Sequence, residues 1–226
     1  MNLGLRGHVV LVVGGTGLIG RAVVERLRTE GATAVAASRH VVGGITLDAQ
    51  DSASVTAALE QVIEQHGRLD ALVVAAAPSA QTLDASRHAD PDQVLRAVDA
   101  KAMSFLRLAN AALPIMARAG YGRIVGVSGQ NAFLTGNVTG SVRNAALIIA
   151  AKNLADSFAG SGLTVNTVSP GTVSASPTSD VELGCGGEAS PEQIADLVAF
   201  LVSPRAGAVS GESIAIGHRV RGVTVL

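Results

Sequence analysis

The stretch VVLVVGGTGLIGRAVVERL, residues 9–27, joins an unbroken apolar run to an amphipathic helical pattern through a cluster of glycines. Gly15, Gly17 and Gly20 fit the spacing G-x-G-x-x-G, and the overlapping set that begins at Gly14 fits G-x-x-G-x-x-G. Glycines at this spacing permit a tight turn, a close approach of the backbone to a pyrophosphate, and close packing of the helix on the strand. The N-terminus of the helix adds oriented N–H groups and a partial positive charge. The stretch therefore predicts the first strand, turn and helix of a dinucleotide-binding α/β fold.

The same alternation of apolar strands and helices continues to the end of the chain. Short runs rich in Val, Ile, Leu and Ala predict strands at 8–13, 33–37, 71–76, 123–127, 163–168 and 212–216, with a weaker candidate at 44–47. Nearly continuous apolar strands are typical of parallel sheets that helices cover on both faces. We therefore expect a Rossmann-like, doubly wound parallel sheet of about seven strands in a three-layer α/β fold. No linker or repeat divides the sequence, so residues 1–226 are expected to form a single domain.

Several helix boundaries can be read directly. Asp51 is a candidate N-cap for the helix that follows it, an Asp-Pro pair predicts a long helix over 91–119, and Ser190 opens a capping box. The segment 169–190 is different, because its Gly, Pro and Ser content predicts a loop. Since ligands in this architecture bind beyond the ends of strands, we expect this loop to contact the substrate.

Composition excludes several classes of function. Of the 226 residues, 48 % are hydrophobic and 15 % charged, which excludes a disordered chain. A net charge of -1 without basic runs, together with 2 % aromatic residues, argues against a nucleic-acid partner. The lone Cys185 and five dispersed histidines predict neither a disulfide nor a metal site. No signal-peptide layout and no apolar run of about 20 residues is present, so we expect a cytoplasmic protein without a membrane partner.

The end of the second predicted strand bears on the choice of nucleotide. It reads AASRHVV, with Ser38, Arg39 and His40 where enzymes that prefer NAD usually present a carboxylate to the ribose hydroxyls. A guanidinium beside a hydroxyl suits a 2′-phosphate, so these residues indicate NADP(H). The alternative is an ordinary solvated arginine in a loop.

The order of these features resembles the short-chain dehydrogenase/reductase superfamily over nearly the whole chain. Besides the glycine turn, the likeness is carried by LDAQDSASV (47–55), GRLDALV (67–73), GYGRIVGVS (120–128), VNTVSPGTV (165–173) and the C-terminal stretch 191–216. The resemblance implies a small-molecule substrate, contact of Asp48 with adenine, and a position of the SPG segment over the nicotinamide. It implies cofactor contacts from Gly14, Thr16, Gly17, Leu18, Ile19, Ser38, Arg39, His40, Asp48, Ala49, Ala75, Ala76, Ala77, Pro170, Gly171 and Val173.

The catalytic pattern of that superfamily is altered in this sequence. Residues 74–77 read Val-Ala-Ala-Ala where the family has Asn-Asn-Ala-Gly, and Asp99 replaces the asparagine of the long helix. The family tyrosine aligns with Gly140 and the family lysine with Asn144. In the family, the tyrosine hydroxyl donates a proton as hydride arrives, while the lysine lowers the hydroxyl's pKa and holds the nicotinamide ribose. Losing a positioned general acid costs roughly 10²–10⁴ in rate.

Four residues are candidate substitutes for the altered groups. Ser128 is expected to hydrogen-bond a substrate carbonyl, Asn144 to replace ribose contacts, Asp99 to act as an acid if burial raises its pKa, and Arg143 to polarise an oxyanion. Each also has a purely structural interpretation. Three hypotheses follow: an atypical NADP(H)-dependent reductase, a catalytically silent nucleotide-binding protein that acts as a sensor or partner subunit, and a non-redox enzyme on the same fold.

The sequence also indicates self-association. The stretches MSFLRLANAALPIM (103–116) and AALIIAAKNLA (145–155) are apolar on more than one helical face. A helix that is apolar nearly all round must bury its second face against something. We therefore expect the helices 91–119 and 139–158 to pack against their copies in a homodimer or homotetramer.

Overall fold

The computed structural model describes residues 2–77 and 82–224. Its main elements, in chain order, are β1 Val9–Val13, α1 Leu18–Thr29, β2 Thr33–Ser38, β3 Ile45–Thr46, α2 Ser52–His66, β4 Ala71–Val74, α3 Pro91–Val98, α4 Ser104–Ala119, β5 Gly122–Val127, α5 Val138–Ser157, β6 Leu163–Pro170, β7 Thr172–Val173, β8 Glu188–Ala189, α6 Pro191–Leu201 and β9 Ser213–Ile216. Seven strands form one sheet in the order β3-β2-β1-β4-β5-β6-β9, and every pair in it is parallel. The predicted doubly wound, Rossmann-like fold is confirmed.

The order of the strands reverses beside β1, and this reversal determines where a ligand fits. β1 pairs with β2 on one side and with β4 on the other, with Val13 in register with both Ala37 and Val74. The chain leaves the sheet edge at β3 and returns on the opposite side of β1. In open α/β sheets, the crevice at such a switch point, outside the carboxyl ends of the strands, is where ligands bind.

The apolar core forms two layers, one on each face of the sheet. Leu11 packs with residues of α2, α4 and α5, such as Phe105, on one face. Its neighbours Val10 and Val12 pack with residues of α1 and α6 on the other face. Because successive side chains of a strand point to opposite faces, an interior strand covered on both sides must be apolar at every position. This accounts for the unbroken apolar run of β1.

The predicted N-caps are present. Asp51 accepts a hydrogen bond from the N–H of Ala53, and the Asp90 side chain accepts from the second and third residues of α3. Ser190 forms the full capping box with Gln193. Within the described part of the chain, no helix combines the length and apolar character that a membrane span requires.

Two regions differ from the sequence-based expectation. The long helix over 91–119 is interrupted by a π-helical turn, Asp99–Met103, between α3 and α4. The segment 169–190 is more regular than a loop, because Thr172–Val173 pairs in parallel with Glu188–Ala189. The ends of this segment are therefore fixed to each other beyond the carboxyl end of β6.

Candidate active site

A cleft of about 460 Å³ lies at the switch point, beyond the carboxyl ends of β1, β2 and β4. The predicted contact residues that line it are Gly14, Thr16, Gly17, Ser38, Arg39, Asp48, Ala49, Ala75, Ala76 and Ala77. The lining does not include Leu18, Ile19, His40, Pro170, Gly171 or Val173. Among the residues that the structure describes, sequence reasoning missed six that also line the cleft: Val13, Leu47, Gln50, Thr82, Ala100 and Ser104. The last three come from segments distant in sequence, and no local motif marks them.

The glycine turn keeps backbone open at the centre of the cleft. Gly14 has a φ of 84°, and a Cβ atom there would lie 2.7 Å from the backbone nitrogen of Ala76. A Cβ atom at Gly20 would collide with the carbonyl oxygen of Gly14. Gly17 precedes α1 and provides no side-chain cap, so the first N–H groups of that helix remain open to anionic oxygens. The turn therefore fits a pyrophosphate.

The end of β2 presents hydroxyl and guanidinium groups to the same cleft. Thr16 Oγ1 donates a hydrogen bond to Ser38 Oγ at 3.2 Å. Arg39 is exposed at the mouth of the cleft, and the sequence places no acidic residue between it and β3. This arrangement offers donors and a fixed positive charge to an anionic group.

The opposite wall of the cleft is a short hydrogen-bonded chain of polar side chains. Asp48 Oδ1 accepts from the N–H of Gln50 at 3.0 Å, so the carboxylate is oriented by its own turn. The Gln50 side chain then donates to Asp99 Oδ2 at 2.8 Å. Arg107 donates to the other oxygen of Asp99 at 2.7 Å. These bonds connect the loop after β3 to the long helix.

This geometry does not provide the condition under which Asp99 was expected to act as an acid. The hydrogen bond from Arg107 and then that from Gln50 lower the pKa of Asp99, and its side chain is 37 % exposed. A carboxyl that is ionised at neutral pH accepts hydrogen bonds but has no proton to donate. The burial that would raise its pKa is absent because the side chain lies on the outer side of the π-helical turn.

Ser128 and Asn144 do lie together. The Ser128 hydroxyl, in a side chain that is 6 % exposed, donates to the backbone carbonyl of Asn144 at 3.1 Å. Asn144 Nδ2 donates to the carbonyl of Gly140 at 2.8 Å. Asn144 Oδ1 is buried and accepts no hydrogen bond from any residue that the structure describes. A buried, unsatisfied acceptor is costly, which makes this oxygen a candidate contact for a ligand.

Lys101 is a residue of this region that sequence reasoning missed. It is 6 % exposed, and its Nζ donates to the backbone carbonyl of Ser128 at 3.0 Å. Burial, and secondly the charge of Arg143, lower its pKa from 10.5 to about 7. A signal was present in the sequence, since Lys101 stands four residues before Phe105 and seven before Leu108, both fully buried. It therefore occupies the apolar stripe of the helix.

Arg143 and Gly140 lie on the facing helix. Arg143 is 5 % exposed, and burial lowers its pKa. Gly140 lies in the first turn of α5, where its N–H donates to Asn137 Oδ1. A Cβ atom at this position would lie 3.2 Å from Asn131 Nδ2 and 3.3 Å from Asn137 Cγ. The space for a side chain at 140 is therefore limited by two asparagine side chains.

The only tyrosine of the chain is remote from these groups. Tyr121 immediately precedes β5, whereas Ser128 follows the other end of that strand. Its hydroxyl donates to the carbonyl of Val202 at 3.5 Å, and its ring lies 4.3 Å from the Arg123 guanidinium. Since the cleft lies at the carboxyl ends of the strands, Tyr121 is at the opposite edge of the sheet.

The fold and this site define a Rossmann-like scaffold whose cleft suits a nucleotide, and the comparison with known proteins gives the family. The sequence profile of a family described as enoyl-(acyl carrier protein) reductase matches residues 15–218. The chain therefore belongs to the short-chain dehydrogenase/reductase superfamily, as its sequence pattern indicated.

Its relatives align along almost their full length. The chain is 27 % identical over 237 residues to the 3-oxoacyl-[acyl-carrier-protein] reductase FabG of Vibrio cholerae, with 94 % of this chain and 96 % of that protein covered. It is 29 % identical over 245 residues to FabG of Haemophilus influenzae, with 93 % and 96 % covered. The aldohexose dehydrogenase of Thermoplasma acidophilum superposes with a TM-score of 0.80 over 98 % of each chain at 23 % identity, which shows a shared fold.

Proposed function

We propose that this protein is an NADP(H)-dependent oxidoreductase that reduces a carbonyl group of a small organic substrate at an atypical active site. The observation that supports the proposal best is the cleft at the strand switch point, where the open glycine turn, Ser38 and Arg39 converge. The reductases among its relatives support the reaction class.

The described residues fit the parts of the nucleotide. The turn at Gly14 and the N-terminus of α1 would hold the pyrophosphate, and Asp48 would contact the adenine. Ser38 and Arg39 would bind the 2′-phosphate. A charge-assisted hydrogen bond of that kind contributes about 1.5–3 kcal/mol, which corresponds to a preference of roughly ten- to hundredfold for NADPH over NADH. Ala75, Ala76 and Ala77, which line the cleft, would contact the nicotinamide half. Pro170, Gly171 and Val173, which the family resemblance also assigns to the nicotinamide, lie outside the cleft lining.

The proposed site is atypical because it lacks an ionisable side chain at two positions of helix α5. The structure places Gly140 and Asn144 one turn apart on that helix, with Asn144 beside Ser128. Bound NADPH supplies the hydride. The chain's own contribution is to hold the substrate against the nicotinamide and to provide the proton from water or from the Ser128 hydroxyl. The hydroxyl can donate to a substrate only when its hydrogen leaves the Asn144 carbonyl, so we expect slow turnover.

Two measurements test the proposal. Titration calorimetry should show tighter binding of NADPH than of NADH, and Arg39→Ala should remove most of the difference. Arg118→Ala, a change at an exposed position of α4, serves as the matched control. Equal affinities of the unmodified protein for the two nucleotides would contradict the proposed cofactor. Oxidation of NADPH with a panel of ketones and quinones then tests the reduction itself.

A second candidate function is nucleotide binding without catalysis, as a sensor or partner subunit. The observation that favours it is the pair Gly140 and Asn144, which offers no side-chain acid at neutral pH. This alternative predicts tight NADPH binding without oxidation of NADPH by any member of the panel. Turnover with any carbonyl substrate would exclude it.

We also propose that the protein is a homodimer or homotetramer. The copies would associate through the helices of residues 91–119 and 139–158, which lie on one face of the sheet. Leu95 of α3 is 69 % exposed and Ile149 of α5 is 62 % exposed, although both are large apolar residues. On the same face, α2 and α4 border a groove of about 900 Å³. An apolar surface of this kind is typical of interfaces between copies. Light scattering at micromolar concentration tests the association.

A further inference from the structure

The π-helical turn Asp99–Met103 brings a buried lysine to the back of the nucleotide cleft. Ala100 and Ser104, on either side of Lys101, line the cleft. Lys101 itself turns inward and is 6 % exposed. Single π-helical turns within α-helices occur frequently at functional sites. The turn therefore places Lys101 between two residues of the cleft wall, with its side chain buried.

The surroundings of Lys101 give it no conventional structural role. Among the residues that the structure describes, no carboxylate forms an ion pair with it. Its hydrogen-bond partner is the backbone carbonyl of Ser128, and the side chains below it on the helix are apolar. A methionine would fill a similar volume without the cost of burying an ammonium group. A lysine at such a position is a candidate for function.

The pattern around Ser128 is an exchange of residue types between two helices. The pattern of the short-chain dehydrogenase/reductase superfamily has an asparagine on the long helix and a lysine on the next helix. In this chain, the long helix presents the Lys101 side chain to the Ser128 carbonyl. On the next helix, the Asn144 side chain donates to the carbonyl of Gly140, and the Asn144 backbone carbonyl accepts from the Ser128 hydroxyl. Asp99, which the sequence assigned to the asparagine position, bonds to Gln50 and Arg107 instead. The residue of the long helix that points inward to Ser128 is Lys101.

We propose that Lys101 is a positioning residue of the active site, which fixes the main chain of Ser128 and supplies, from the π-helical turn between α3 and α4, the ammonium group that is absent from position 144 of α5. The proposal rests on the proposed function, since it assigns a role beside the same cleft. Lys101 contacts Ser128 and not the substrate, so its effect on a reaction would be transmitted through Ser128.

The charge of Lys101 should depend on the nucleotide. The pKa of Lys101 is about 7, and the charged group that acts on it is Arg143 on the facing helix. On its own helix, Asp99 and Arg107 pair with each other. Phosphates bound on the other side of the cleft wall would favour the protonated amine and raise its pKa. By linkage, the affinity for NADPH should fall as pH rises from 6.5 to 8.5, since the amine loses its proton in that interval.

The chain offers a direct measurement because Lys101 and Lys152 are its only lysines. Lys152 is 53 % exposed and pairs with Asp156, so Lys152→Met is the matched control. With lysine labelled by ¹³C at Cε, one of two NMR signals should titrate near pH 7 and disappear in Lys101→Met. Saturating NADPH should move that titration to higher pH. In Lys101→Met, the dissociation constant of NADPH should lose its dependence on pH.

Kinetics provide the second readout. With a ketone that the unmodified protein reduces, Lys101→Met should lower kcat by about 10- to 100-fold, as expected when a reacting group is displaced, and leave the KM for the ketone nearly unchanged. The inflection near pH 7 should vanish from its pH profile. An unchanged kcat and pH profile, or a Lys101 signal that titrates above pH 9, would overturn the proposal. Tight NADPH binding without turnover would contradict only the proposed carbonyl reduction. The NMR and affinity measurements would still test the role of Lys101, because they do not require activity.

An exchange variant tests the same idea without a methionine in the core. Asn144→Lys alone adds a second ammonium group beside Lys101 and Arg143, so its melting temperature should fall. Adding Lys101→Asn should restore the melting temperature, since one ammonium group is then present again. If the changes in melting temperature of the two single variants simply add up in the double variant, the exchange between the helices is contradicted.

Discussion

Replacing Lys101 with methionine should stabilise the protein at neutral pH, and the gain should shrink as pH rises. The pKa of Lys101 is about 7 in the folded chain and 10.5 in an unfolded one. Below pH 7 the amine is protonated in both states, so the folded state carries the full cost of a buried charge. Between pH 7 and 10.5 the unfolded chain binds more protons, and stability therefore rises with pH. Above pH 10.5 the cost has disappeared.

The size of the effect follows from the displacement of the pKa. Each pKa unit corresponds to about 1.4 kcal/mol of free energy. The difference of roughly 3.5 units between the folded and unfolded chain therefore limits the destabilisation by the buried charge to about 5 kcal/mol. Between pH 7 and 8.5, the unmodified protein should gain about 2 kcal/mol relative to Lys101→Met. For a chain of 226 residues, this corresponds to a convergence of the two melting temperatures by roughly 4–8 °C.

Urea unfolding at pH 7, 7.75 and 8.5 measures the difference directly. The relevant quantity is the free energy of unfolding of the variant minus that of the unmodified protein, because other titrating groups cancel in it. Lys152→Met is expected to follow the unmodified protein at every pH, since its lysine is exposed and ion-paired. Parallel pH dependence of the unmodified protein and Lys101→Met would refute the reasoning. It would mean that Lys101 keeps an ordinary pKa in the folded state.

Three further predictions concern the proposed reaction and assembly. Tyr121→Phe should leave the rate of NADPH oxidation within about twofold, because Tyr121 lies at the opposite edge of the sheet from the cleft; a loss near the 10²–10⁴ of a general acid would contradict this. Adding Gly140→Tyr to the double variant Lys101→Asn, Asn144→Lys should raise the steady-state rate of carbonyl reduction by up to about 10²–10⁴, the contribution of a general acid. No gain in rate would mean that the site lacks more than its acid. Ile149→Asp should lower the molar mass measured by light scattering, and an unchanged mass would place the interface elsewhere.

The fold was predictable because its determinants are local. The apolar run before Gly14 could only be a covered interior strand, and the caps at Asp51, Asp90 and Ser190 mark their helices through contacts within three residues. The glycine spacing likewise specifies a turn whose crowding the structure explains, since Gly14 packs against the backbone after β4. Such signals act over a few positions and need no tertiary information.

The site was less predictable because it depends on convergence of distant segments. Gln50, Ala100 and Ser104 enter the cleft wall only because the loop after β3 meets the long helix across the end of β4. Asp99 and Lys101 are two residues apart, yet one is ionised at the surface and the other is buried behind the cleft. Alignment to a family pattern does not show which of the two residues is buried. The helical spacing of Lys101 from the buried Phe105 does, because it places Lys101 in the apolar stripe of the helix.

The charge balance around Ser128 offers a physical reason for the residue at position 144. Arg143 is already buried on α5, and its charge lowers the pKa of Lys101 on the facing helix. A lysine at 144 would add a third cation to the same desolvated region, where repulsion is screened far less than in water. A neutral asparagine keeps a donor to Gly140 and an acceptor available for a ligand. With Lys101 on the long helix, an uncharged residue at 144 is therefore what the electrostatics of this buried region favour.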